Sequence, residues 1–155
     1  MHRSVPSILT ASACVFITAG LLAQEQKLTR EHLPPAVAAT IDRETQGAHI
    51  KGYSTEREHG QTVFEAETIV NGHTRDLQVA KDGTLNEIEE EVSQSELPPA
   101  VQTALTTKAN GAQITKVESL TKGGKLVAYE AATLKGSKKG EIQVGPNGEK
   151  LNHEE

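Results

Sequence analysis

Cysteine and aromatic side chains are nearly missing from this chain: its 155 residues include one Cys, no Trp, two Tyr and two Phe. A lone Cys14 excludes any disulfide within the chain. With 35% hydrophobic and 3% aromatic residues, a core must be built mainly from Val, Ile, Leu and Ala, which argues against a deep enzyme cleft. A basic stripe is also lacking. The 16 Lys and Arg are scattered among 21 Asp and Glu for a formal charge of -5, which argues against a nucleic-acid partner.

An apolar run long enough to cross a bilayer is absent too. Ile8 to Leu22 carries no charge but is 15 residues long, against the roughly 20 that a spanning helix needs. Preceded by Arg3 and followed by polar residues from Gln24, residues 1–23 read as a secretory signal peptide cleaved near Ala23. Leu21, where a small side chain is usual, leaves the cleavage point approximate. An uncleaved anchor is the alternative, opposed by length. Lipid attachment at Cys14 is opposed by an apolar run lying mostly after it. The mature chain is then expected to be periplasmic or secreted and free of the membrane, with 15 basic and 21 acidic residues and a charge of -6 once Arg3 is removed. Residues 24–32 read as a flexible lead-in.

What is present is an internal match. Leu33-Pro34-Pro35-Ala36-Val37 recurs as Leu97-Pro98-Pro99-Ala100-Val101, and the correspondence continues from Gly47-Ala48 to Gly111-Ala112 and from Ile50 to Ile114. After one extra residue, Phe64-Glu65-Ala66 matches Tyr129-Glu130-Ala131, Gln78-Val79 matches Gln143-Val144, and Gly83 matches Gly148. Two units follow, 33–91 and 97–155, joined by Val92 to Glu96. Prolines at the first turn and apolar residues at helical spacing predict a helix at the start of each unit, closed near Gly47 or Gly111. Downstream the period becomes two, broken by turn signals at His59-Gly60, Asn71-Gly72, Asp82-Gly83, Gly123-Gly124 and Asn147-Gly148. The expected fold is α+β, with two tandem helix plus four-stranded antiparallel sheet repeats packed as one unit. Each helix is expected to cover one sheet face, burying Phe64, Leu77 and Val79 in one unit and Tyr129, Ile142 and Val144 in the other.

The LPPAV helix starts, the Ile50-x-x-Tyr53 and Ile114-x-x-Val117 strand starts and the Phe/Tyr-Glu-Ala strands resemble the PepSY-like repeats of secreted bacterial proteins. That group is similar in architecture to the beta-lactamase inhibitory protein. The resemblance implies a curved sheet surface and a non-catalytic module that binds, modulates or inhibits a secreted or envelope protein.

By parity, the face opposite the helices carries Glu65, Glu67, Asp76, Gln78, Glu130, Glu141 and Gln143. These are the candidate partner-binding residues. Inhibitory faces rely on Trp, Tyr and Arg anchors, and an acidic face instead suits a partner with a basic surface. The plainer reading is a solvated acidic face that only aids solubility. Weak cation or small-ligand binding by Glu65, Glu67 and Glu130 is an alternative from another class, and a hydrolase that the sequence conceals is a third. Catalytic, cofactor and metal residues are expected to be none. The mature chain has no Cys and no G-x-S-x-G elbow, and His32, His49, His59, His73 and His153 lack H-E-x-x-H spacing. Asp82-Gly83 followed by Glu87, Glu89, Glu90 and Glu91 lacks the Asp-x-Asp ligands of a calcium loop. The Glu run reads as a solvated strand end or linker.

Overall fold

The computed structural model describes residues 25–58 and 60–155. The expected signal peptide, its Cys14 and the turn residue His59 lie outside them. A short β1 (Gln26–Leu28) and a 3-10 turn at Arg30–His32 come first, in the segment expected to be a flexible lead-in. Then follow α1 (Pro35–Glu44), β2 (His49–Glu58), β3 (Gln61–Val70), β4 (His73–Ala80) and β5 (Leu85–Glu91). A 3-10 turn at Gln94–Glu96 leads to α2 (Pro99–Ala109), β6 (Gln113–Lys122), β7 (Lys125–Lys135) and β8 (Lys138–Val144).

The strands do not form the expected pair of four-stranded units. They make one eight-stranded antiparallel sheet in the order β1-β2-β3-β4-β5-β6-β7-β8. Two physical causes account for the difference. An edge strand presents unpaired backbone groups, and β5 satisfies its own by pairing with β6, from Glu87↔Lys122 to Glu91↔Glu118. The second unit also contributes three strands after its helix rather than four. Beyond Val144 the chain turns at Gly145 and Gly148, and residues 150–155 form no strand. Where β5 offers Leu85 and Ile88 to the core, that last stretch has only Leu151 as an apolar residue.

Both helices begin on consecutive prolines, whose missing N–H groups cost nothing there. Each lays its apolar stripe on the same sheet face. Val37, Ile41 and Leu33 pack with Phe64, Ala66, Leu77 and Val79. Val101, Leu105 and Leu97 pack with Val117, Ala131 and Val144, with Tyr129 and Ile142 at the edge of the cluster. The face assigned to these residues from their spacing is therefore the one observed. Equivalent details recur in the two halves. β2 has a register shift between Ile50 and Gly52, and β6 has one between Ile114 and Lys116. Thr133 Oγ1 donates to the Gly140 carbonyl at 3.0 Å, and Thr68 Oγ1 donates likewise to Arg75.

Candidate functional site

Strand pairing brings the acidic residues together on the face without helices. One row across the sheet reads Ser54, Glu65, Gln78, Glu87 and Lys122. The next reads Gly52, Glu67, Asp76, Glu89, Leu120 and Ala128. A third joins Glu91, Glu118, Glu130 and Gln143. All seven candidate residues from the sequence lie on this face.

Their surroundings differ from the solvated face expected. Of the seven, only Glu141 is exposed, and Gln143 is buried. Side chains crowd one another across the rows, and the chain terminus reaches over the β8 end, where the Glu155 amide donates to Gln143 Oε1 at 2.8 Å. Glu25, Glu65, Glu67, Asp76, Glu87 and Glu89 line a depression at the other end.

Removal from water is the main force on these carboxyls, because burial penalises the charged form. It pushes Glu65 up to about 7, against the opposing hydrogen bond from Ser54 Oγ at 2.9 Å. It pushes Asp76 up to about 6, although the Thr68 amide donates to Asp76 Oδ1 at 3.1 Å. Glu130 is raised by burial despite the donation from Gln143 Nε2 at 2.7 Å. Gln78 Nε2 donates to Glu58 Oε2 at 2.7 Å, and Glu67 lies 3.5 Å from Lys51 Nζ.

Further acids on this face were not among the candidates, and three of them, Glu87, Glu89 and Glu118, are buried. The Glu run is not a solvated strand end: Glu87 and Glu89 are buried positions of β5 on the helix-free face, 7% and 9% exposed. Lys122 Nζ is 3.3 Å from Glu87, but burial still raises that carboxyl. Glu118 is 5% exposed with Lys116 Nζ at 2.7 Å. Glu89 has neither a hydrogen bond nor an ion pair among the described residues. Burial first, then the negative charge of Glu118 and Glu87, pushes it up to about 9. The signal for Glu87 and Glu89 was their period of two with Glu91, masked because the buried side chains are acidic rather than apolar.

Chemically, the face can neutralise or bind positive charge. Ser54 has Glu65, not an imidazole, as its hydrogen-bond partner, so no relay for a nucleophile is assembled there.

No protein-family model matches this sequence, and no curated protein does either. Solved structures do share the fold. A protein of Bacteroides eggerthii described as periplasmic is 17% identical, with a TM-score of 0.61 over 76% of this chain and 85% of that one. A DUF2874 family protein of Bacteroides ovatus is 18% identical, with a TM-score of 0.58 over 75% and 82% of the two chains. A BLIP-like protein of Bacteroides fragilis is 23% identical, with a TM-score of 0.56 over 78% and 86%. The architecture is thus BLIP-like. At these identities the likeness is one of fold.

Proposed function

We propose that this chain is an exported, periplasmic, non-catalytic binding module that receives a protein partner of basic surface on the helix-free face of its sheet. The observation that carries the reading is the acidic layer itself. Among the described residues Glu65, Asp76, Glu89 and Glu130 have no ion pair, and a partner's Lys and Arg would supply positive charge to them. Export is supported by the signal-like residues 1–23 and by structural neighbours described as periplasmic. The PepSY-like character of the sequence and the BLIP-like neighbour point the same way, toward recognition rather than turnover.

Capture of partners from the native periplasm tests this, using the mature chain as bait beside a Glu56→Lys/Glu67→Lys variant, Glu56 lying two residues from Ser54 on the same face of β2, and a helix-side Thr106→Lys control. The expected outcome is a salt-sensitive partner kept by the control and lost by the sheet-face variant. Equal recovery by all three baits would place binding elsewhere on the molecule.

A further inference from the structure

The strands β4, β5 and β6 each contribute one carboxyl to a single point on the helix-free face. Asp76 and Glu89 are direct cross-strand partners, and Glu118 lies diagonally from Glu89, opposite Glu91. One oxygen from each of the three falls within 4.8 Å of the other two. Like charges so placed repel and destabilise the pairing.

Two members of the cluster are restrained. Thr68 N–H holds Asp76, and Lys116 Nζ holds Glu118 Oε1 at 2.7 Å. The third, Glu89, is 9% exposed and has no donor or cation among the described residues, with its carboxylate directed at the other two. Its oxygens are not sealed from solvent, and in the charged form this crowded, partly desolvated position favours a cation arriving from the open side.

We propose that Asp76, Glu89 and Glu118 bind a hard divalent cation of the Ca2+ class. The donor set is all oxygen, without His or Cys, which selects hard ions. Ca2+–O distances of about 2.3–2.6 Å place opposite ligands up to about 5 Å apart, and the cluster fits within that span. With Glu89 ionised, three carboxylates beside one Lys leave two negative charges, matching a divalent ion, whose binding would displace the proton that Glu89 holds at neutral pH. Thr74 Oγ1, 3.5 Å from Glu118 Oε1, adds a neutral oxygen at the rim, and water would complete the shell from the open side. Asp76 and Glu89 come from the first half of the chain and Glu118 from the second, so the ion would tie the halves together at the β5–β6 seam. This site stands whether or not a protein meets the same face.

The test uses the mature chain stripped with EDTA, titrated with CaCl2 by calorimetry at neutral pH and followed by thermal unfolding. The expected result is saturable one-to-one binding and a rise in Tm that NaCl of equal ionic strength does not reproduce. Glu89→Gln, and independently Asp76→Asn, should weaken binding by at least about ten-fold, with Glu96→Gln in the 3-10 turn unchanged. Glu89→Gln is isosteric and relieves the repulsion, so it should fold without the ion. Absence of saturable binding would overturn the proposal and leave a proton on Glu89 as the neutralising group. Ca2+ affinity equal to wild type in both Glu89→Gln and Asp76→Asn would overturn it as well.

Discussion

Gly83 and Gly148 sit at matched turns where a β-carbon has no room. At Gly83, with φ +89°, it would fall 2.8 Å from the Ala36 carbonyl oxygen, and at Gly148, with φ +82°, 2.6 Å from that of Ala100. These contacts press each turn against the first turn of its helix, which makes the glycines part of helix docking. Gly72 has a similar φ, +89°, but open space around it. Gly72→Ala should therefore cost only its backbone strain, about 1 kcal/mol. Gly83→Ala and Gly148→Ala should each cost about 3 kcal/mol, since the backbone or the helix must also move. Urea unfolding of the three variants checks this, and equal losses at all three positions would show that the close approach has no energetic weight.

At the scale of elements, the helices and most hairpins were legible because each has a local cause. Proline pairs start the helices, and turn residues at Asn71-Gly72 and Gly123-Gly124 occur with positive φ where the strands reverse. Phe64, Leu77 and Val79 could be assigned a face because strand alternation leaves only two choices. Three features were not legible. β1 is three residues of no apolar period. The β5–β6 pairing joins strands separated by α2, and nothing local specifies it. The buried acidic positions of β5 read as solvent-facing because burial of a carboxylate depends on its neighbours across the sheet, not on its own strand. The β5–β6 seam has a measurable consequence. Val92 N–H donates to the Val117 carbonyl at 2.9 Å, and its side chain packs on the second core cluster. Truncation after Val92 would strip β5 of its partner and leave a unit too small to bury much of its surface. That fragment is expected to unfold at much lower urea concentration than the whole chain, with a broad transition. A half-chain as stable and as cooperative as the full one would contradict the single-sheet account.

At the scale of the molecule, two core clusters lie under two helices on one side of a common sheet, and a layer of partly desolvated acids lies on the other. Two of the candidate acids, Glu65 and Asp76, and the unanticipated Glu89 are held up to about 7, about 6 and about 9. Their ordinary values are 4.5, 3.8 and 4.5. Each binds its proton more tightly in the folded chain than in the unfolded one. The stability this supplies is complete below the ordinary carboxyl range and is lost as pH rises through the folded values. Asp76 on β4, Glu87 on β5, Glu118 on β6 and Glu130 on β7 bear on Glu89 with negative charge, while Lys116 Nζ contacts Glu118 at 2.7 Å.

The central claim is that the helix-free face holds carboxyls at a cost, Glu89 among them with neither a hydrogen bond nor an ion pair among the described residues. Its most direct measurement is the unfolding free energy of the chelator-treated mature chain between about pH 5 and about pH 9. Wild type is predicted to lose stability steadily across that window, and Glu89→Gln to lose distinctly less toward its upper end. A wild-type profile that is flat or rises with pH, or one that Glu89→Gln leaves unchanged, would contradict the account.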